Sequence, residues 1–232
     1  MNATEALKKL SDVSMEGLCG SILERHRETV RVQKPHIAIS KLVLIIEATL
    51  KLSSRQSFHA TSLRQISEES GVSMGSLYSY FDSKDTLLLM ILDQVATTTT
   101  NILGNPPEEV LAKPLNHLRW LIETHVELTD AMLPWFNFAF LEAKSFPRFG
   151  RKAAIESEEA SERIFREVIE KGVQQACFVV EDPAFAAALV KPLLQDWYVK
   201  RSKWRRRGIN AKEYSTRVKN FVEKALSVNA AT

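Results

Sequence analysis

Apolar residues recur at steps of three and four along almost the whole chain, and this spacing limits the fold more than any other feature. One predicted helical face, after Pro35, carries Ile39, Leu42, Val43, Ile46, Thr49 and Leu50. No segment alternates polar and apolar residues as a half-buried strand would, and no Asn-Gly or Asp-Gly pair separates two apolar runs. The sequence therefore predicts an all-α fold.

Composition and cysteine usage narrow the class of protein. The 232 residues are 45% hydrophobic, which is enough for a buried core. Cys19 and Cys177 lie outside any metal-binding spacing, so no metal site is predicted and a reducing cytoplasm is the expected location. Apolar runs such as Leu42–Ile46 and Leu87–Leu92 are far shorter than the roughly 20 residues of a membrane span. Residues 1–10 lack the apolar centre of a secretory signal, so no membrane partner is expected.

Motifs of catalysis give no support for an enzyme. The chain has no P-loop and no dinucleotide-binding glycine fingerprint. It also has no cluster of histidine, cysteine and carboxylate residues at metal-ligand spacing. We therefore expect neither catalysis nor a bound cofactor.

Two short helices joined by a tight turn are predicted between residues 61 and 81. The segment that starts at Ser62 has the form of a capping box, and Gly71 permits a tight turn. Ser73 is a suitable cap for the second helix, which Leu77 and Phe81 would anchor to the core. The small and hydroxyl-bearing residues on its other faces suit close approach to a DNA groove. This arrangement is typical of a helix-turn-helix.

Candidate DNA contacts lie at the start of the first of these helices and on the free faces of the second. Hydroxyls and backbone amides there can bond phosphates or base edges. The alternative for Tyr78 and Tyr80 is a structural role in the core. The candidates are Thr61, Ser62, Arg64, Ser73, Met74, Gly75, Ser76, Tyr78, Ser79, Tyr80 and Lys84.

The residues from Ile45 to Leu88 resemble the DNA-binding domain of TetR-family transcriptional regulators, most clearly over Ala60–Ser67 and Gly71–Lys84. The resemblance implies an N-terminal three-helix reader followed by a C-terminal helical bundle for ligand binding and dimerisation. It also implies a homodimer on a palindromic operator, usually a repressor that a small molecule releases. The alternatives are an activator and a non-specific DNA-binding helical protein. The implied domains are an N-terminal extension 1–34, a DNA-binding domain 35–83 and a ligand-binding and dimerisation domain 84–232.

Two residues depart from the family pattern. Met74 stands where the family usually has Lys or Arg, and Tyr80 where it often has His. Because one cation is missing, we expect weaker DNA binding and a salt dependence smaller by about one counterion. A basic arm in the minor groove could compensate, and the alternative is a solvated linker. The cations of that segment are Arg25, Arg27, Arg31 and Lys34.

The C-terminal half offers candidates for ligand binding and dimerisation. An aromatic set suggests an apolar pocket for a small effector, with aromatic and fatty-acyl molecules as candidates and an ordinary core as the alternative. Its members are Trp120, His125, Trp135, Phe136, Phe138, Phe140 and Phe165. The last two predicted helices favour a four-helix dimer interface, and the alternative is a core within one chain. Its residues are Ala186, Val190, Leu194, Trp197, Val218, Phe221, Val222 and Ala225.

A basic run spans Lys200–Arg207. It suits either a solvated helix end or a phosphate-bearing ligand such as an acyl-CoA. Proline 192 is expected to kink or locally break the helix that precedes this run.

Overall fold

The computed structural model describes residues 13–32 and 34–226, and all regular elements among them are helical. This confirms the predicted all-α fold. The elements are α1 Met15–Arg25, α2 Pro35–Gln56, α3 Leu63–Ser70, α4 Met74–Leu77, α5 Lys84–Leu103, α6 Glu108–Leu111, α7 Pro114–Ala131, α8 Leu133–Leu141, the 3-10 turn Ala143–Ser145, α9 Arg148–Gln174, α10 Pro183–Val199, α11 Arg201–Arg206 and α12 Ala211–Ala225.

Two compact units divide the described chain. The reader unit comprises the described part of 12–97 together with Pro134–Ser157. The bundle unit comprises Thr98–Leu133 and the described part of 158–232. These compact units do not end at the expected domain limits after residues 34 and 83. The expected domains describe a division by function, and they stay a prediction.

The predicted N-terminal extension contains a docked helix, although residues 1–12 and Gln33 of it lie outside the described residues. Ser14 caps α1 by accepting a hydrogen bond from the Gly17 amide at 3.1 Å. Leu18, Cys19 and Ile22 are buried as α1 packs on α2. Because burial next to Glu16 and Glu47 raises the pKa of Cys19 to about 12, this thiol stays protonated.

Aromatic side chains form the centre of the reader unit. The Phe58 ring lies edge-on to Phe138, with centroids 5.4 Å apart, and to Phe146 at 6.0 Å. Phe138 is therefore a core residue that supports the segment before α3, whereas Phe140 on the same helix is 37% exposed. Their assignment to a ligand pocket stays a prediction.

The bundle unit packs α7 against α10 and α12. Arg119 on α7 makes two hydrogen bonds to the Glu223 carboxylate on α12, at 2.6 and 2.7 Å. Trp197 on α10 stacks on Tyr214 with ring centroids 5.0 Å apart. Pro192 lies inside α10, which continues to Val199, so the helix ends before Lys200 and does not break at the proline; a kink at Pro192 stays a prediction.

Helix α5 is long and apolar enough, by length and composition, to cross a membrane. However, 61% of its most apolar window is buried inside the protein. The core helix of a folded domain passes the same test, and this burial accounts for its apolar composition.

Candidate nucleic-acid interface

Local hydrogen bonds build the turn between α3 and α4. Ser62 Oγ accepts from the Gln65 amide at 3.2 Å, and Gln65 Oε1 accepts from the Ser62 amide at 2.8 Å, which completes the predicted capping box. Gly71 ends α3 with φ of 68°, a left-handed conformation that glycine adopts without strain. Ser67 Oγ then donates to the Val72 carbonyl at 2.6 Å, so the turn is tied to α3.

Three buried side chains hold α4 and the turn after it. Leu77, Tyr80 and Phe81 are fully buried, and Leu77 and Phe81 are the predicted anchors. On the other faces Ser73, Gly75 and Tyr78 are exposed, and Met74, Ser76 and Ser79 are half-buried. Tyr78 is 50% exposed, so its ring is available to a partner.

Two predicted DNA contacts are wrong because their side chains lie inside the reader unit. Tyr80 is fully buried, and this burial raises the pKa of its phenol. Thr61 is 1% exposed, and its hydroxyl donates to the Ser57 carbonyl at 2.8 Å. Neither side chain can reach duplex DNA from that position.

Lys84 stabilises the segment before α3 through hydrogen bonds to its carbonyls. This corrects its assignment as a phosphate contact. Its ammonium donates to the carbonyls of Phe58, His59 and Thr61 at 3.1, 3.0 and 2.9 Å. These bonds use all three N–H groups, and the charge also lies 4.8 Å from the centroid of the Phe58 ring. Desolvation lowers the pKa of Lys84 from its ordinary value.

Two basic residues are bonded to α4 or to the turn after it: Arg31, which was predicted in a basic arm, and Lys41, which the prediction missed. The Arg31 amide donates to the Ser79 carbonyl at 2.7 Å, which ties the segment after α1 to the reader. Lys41 Nζ donates to Ser76 Oγ at 3.3 Å. By contrast, Arg25 bonds Asp93 Oδ2 at 2.9 Å and so is not part of a DNA-binding arm. Arg64 forms only an exposed pair with Glu68, which is too weak to withhold it from a phosphate.

The residues Gly71–Gly75 also spell Gly-x-Ser-x-Gly, the pattern of a hydrolase nucleophile elbow. That elbow requires a strand before the serine and a histidine base beside it. Here Ser73 joins two helices, and its Oγ accepts a hydrogen bond from the Ser76 amide at 3.3 Å. The pattern is therefore a helix cap.

The predicted ligand residues do not belong to one unit. Trp120, His125 and Phe165 are buried in the bundle unit. Trp135 and Phe136 are buried in the reader unit, together with Phe138. Among the described residues, no group of three or more His, Cys, Asp or Glu side chains could hold a metal ion.

Some of the predicted dimer residues are buried in the bundle unit, and others line a groove at its surface. Leu194 and Trp197 are fully buried and Val218 is 7% exposed, so they contribute to the core of the bundle unit, and their place in a dimer interface stays a prediction. A groove of about 580 Å³ lies between α10 and α12. It is lined by the predicted Ala186, Val190, Phe221, Val222 and Ala225, by Leu193, and by Phe185 and Leu189, which the prediction missed.

Acidic partners neutralise part of the basic run Lys200–Arg207. Arg201 pairs with Asp130 at 2.9 Å and stacks on the Trp197 ring, whose centroid is 4.0 Å away. Lys200 and Lys203 both pair with Asp196, at 3.0 and 2.5 Å. These contacts favour a helix end that is stabilised within the bundle unit over a dedicated phosphate site.

Comparison with known proteins gives two family models. Residues 45–91 match the model described as bacterial regulatory proteins of the tetR family. Residues 112–201 match the tetracyclin repressor-like C-terminal domain. Together the two models cover more than half of the chain.

Curated and solved relatives agree with this match. The uncharacterized HTH-type transcriptional regulator YuxN of Bacillus subtilis is 30% identical over 60% of this chain and 50% of its own length. The matches to the first curated relatives span about half of their length or less. A tetR-family regulatory protein from Rhodococcus RHA1 has a TM-score of 0.70 at 16% identity, over 80% of this chain and 96% of its own. FadR from Bacillus subtilis, solved with stearoyl-CoA, has a TM-score of 0.61 at 16% identity, over 77% of this chain and 96% of its own.

The two family models match successive parts of the fold along the chain. The first model covers the capped turn and the anchored α4, and the second covers the helices α7 to α10. The relatives are transcriptional regulators and not enzymes. With its N-terminal helix-turn-helix and its C-terminal helical domain, this chain belongs to the TetR family of transcriptional regulators.

Proposed function

We propose that this protein is a repressor that binds a palindromic operator as a homodimer and is released by a small, largely apolar molecule. The observation that carries the proposal is α4 with its two cap residues, where the exposed Ser73, Gly75 and Tyr78 accompany buried anchors. A short helix held in this way can insert its free face into a major groove. The proposed contacts are Ser62, Arg64, Ser73, Met74, Gly75, Ser76, Tyr78 and Ser79.

A second copy of this chain is the proposed occupant of the groove between α10 and α12. Phe185, Leu189 and Phe221 are each more than half exposed there, and contiguous apolar surface of this kind marks interaction sites. A palindromic operator needs two readers about 34–36 Å apart, which a two-fold dimer supplies. Ala186 and Ala225 in the groove would allow the helices of the two copies to approach closely.

The proposed effector binds in the bundle unit and changes the separation of the two readers. Helix α5 contributes residues to both units, so it is a continuous connection through which a ligand could act. An effector shifts this equilibrium only by its difference in affinity between the two states. The complex of FadR with stearoyl-CoA supports an apolar effector. We also propose a cytoplasmic location, which the unpaired Cys19 and Cys177 support.

Selection of duplexes from a random pool tests the proposed function. We expect enrichment of a palindrome whose half-sites are one helical turn or a multiple apart, bound by two chains. A reporter placed behind that palindrome should be silenced by the protein and not activated. If no sequence is enriched over the starting pool, the protein is a non-specific DNA-binding protein and the proposal fails.

Tyr78→Ala is expected to weaken binding to the selected operator by at least tenfold, because alanine removes the largest side chain of the reading face. Its thermal stability should change little, since half of the Tyr78 side chain is already in solvent. The measurement is fluorescence anisotropy with a labelled operator duplex. Ile155→Ala removes a side chain that is 55% exposed on α9 and serves as the control. Equal affinities of Tyr78→Ala and wild type would exclude Tyr78 from the interface.

The cations after α1 are expected to contact phosphates that flank the half-site. Arg27, Arg31 and Lys34 are exposed, and the backbone of Arg31 is bonded to the reader. Alanine at all three positions should reduce the slope of log affinity against log salt by roughly 0.9 for each phosphate that the protein no longer neutralises. Alanine at Lys212, Arg217 and Lys224, which are exposed on α12, matches the charge change. The same slope in both triple variants would show that the segment only supports α4.

A further inference from the structure

A lysine, a histidine and a serine from three helices meet inside the bundle unit. Lys191 Nζ on α10 donates to Ser161 Oγ on α9 at 2.7 Å. The same nitrogen lies 3.3 Å from His125 Nε2 on α7. Lys191 is 5% exposed, Ser161 3% and His125 2%, so the cluster is removed from water.

The charge of Lys191 has no carboxylate partner among the described residues. The bundle unit's ion pairs involve other cations, and Lys191 forms none within 4 Å. Glu158 and Glu162 on α9 favour the charged form only from a longer distance, and Glu158 accepts a hydrogen bond from Gln195. Desolvation lowers the pKa of Lys191 to about 8. Burial and the nearby ammonium lower the pKa of His125 well below its ordinary value, so the imidazole is neutral.

The Lys191 ammonium has more hydrogen-bond donors than partners in this cluster. An ammonium has three N–H donors, and two partners account for two of them. Buried polar groups are rarely left without a partner, and each such exception needs an explanation, of which a bound ligand is one.

Stability alone does not explain a lysine at this position. A buried charge that no carboxylate compensates destabilises a fold, and an apolar side chain of similar volume is often neutral or stabilising. Residues that violate local stability rules are concentrated at functional sites. Lys191 therefore points to a binding role.

We propose that Lys191, with Ser161 and His125, binds the carboxylate of a monoanionic effector whose remaining surface is apolar. One ammonium beside a neutral imidazole balances one negative charge. A phosphate dianion would bring a second charge with no cation to meet it, and a neutral molecule would leave the ammonium uncompensated. Phe165, whose ring lies edge-on to His125 with centroids 6.2 Å apart, provides apolar surface next to the head group. The inference rests on the proposed function only in taking the bundle unit as the effector site.

Thermal unfolding of the full-length protein without DNA tests this site. The probes are butanoate, octanoate, dodecanoate and 4-phenylbutanoate, each paired with its neutral amide, and hexyl phosphate. For wild type we expect at least one carboxylate to raise the melting temperature and to bind at least tenfold more tightly than its amide. In Lys191→Met the carboxylate should lose that tenfold preference, while the ligand-free protein melts at the same or a higher temperature. Lys212→Met removes an exposed lysine of the same unit and should respond as wild type does.

Several outcomes would overturn the inference. They are no response to any carboxylate, an equal response to the matched amide, tighter binding of hexyl phosphate, and an unchanged carboxylate response in Lys191→Met. If Lys191→Met does not fold, Lys191 is structural and the inference also fails. Ser161→Ala gives a second measure, with a three- to tenfold loss of carboxylate affinity expected. DNA binding by the ligand-free protein is measured separately, so failure of the proposed function would be visible without affecting this result.

Discussion

Replacing Leu189 with glutamate is expected to convert the proposed dimer into monomers and to remove operator binding. The side chain of Leu189 is 56% exposed in the groove between α10 and α12, next to Phe221 at 61%. In a two-fold dimer the substitution acts twice, and it places two carboxylates against apolar surface without a partner. We expect dimer affinity to fall by at least a hundredfold. Operator affinity should fall by at least as much, because a monomer reads only one half-site.

Light scattering after size exclusion measures the mass, and anisotropy measures DNA binding. Ile155→Glu places the same charge on an equally exposed apolar residue, 55% exposed on α9, and should remain dimeric. The fold of Leu189→Glu is checked by circular dichroism, since the side chain is already half in solvent. A dimer of unchanged affinity in Leu189→Glu would show that the chains associate elsewhere and that the groove has another occupant.

Lys84→Met is expected to lower the free energy of unfolding of the reader unit by about 2–3 kcal/mol. The ammonium of Lys84 bonds three carbonyls in the segment Phe58–Thr61, which leads into α3. Methionine keeps the length and the apolar stem but leaves those carbonyls without their charged donor, and hydrogen bonds to charged groups contribute about 1.5–3 kcal/mol. DNA binding should weaken as well, because the position of α3 depends on that segment.

Lys51→Met is the matched control for this prediction. Lys51 also lies in the reader unit, where it pairs with Glu69 at the surface, and its side chain is 52% exposed. Removing an exposed pair costs less than about 1 kcal/mol. Urea unfolding compares the two variants. A loss in Lys84→Met no larger than in Lys51→Met would show that Lys84 is free to bind phosphate, as the sequence suggested.

Local signals in the sequence predict the reader well. The Ser62–Gln65 capping box and the Ser73 cap depend on hydrogen bonds between residues three apart, and the left-handed turn depends on the glycine at position 71. The spacing of Leu77 and Phe81 predicts the buried side of α4 for the same reason, since helical periodicity is a local property.

The sequence did not reveal which residues that are far apart in the chain pack against each other. Tyr78 and Tyr80 have the same chemistry two residues apart, and only packing makes one exposed and the other buried. In the bundle unit, α10 is apolar around much of its circumference, so periodicity could not separate the inner Leu194 and Trp197 from the outer Leu189.

The helical elements, their caps and the turn of the reader were thus already determined by the order of residues, because the interactions that form them span one helical turn. The roles of Lys84 and Lys191 came only from the folded chain. Their partners lie 23 to 26 and 30 to 66 residues away in sequence. A lysine takes its function from the dielectric and the hydrogen-bond acceptors around its ammonium, and tertiary packing alone determines both.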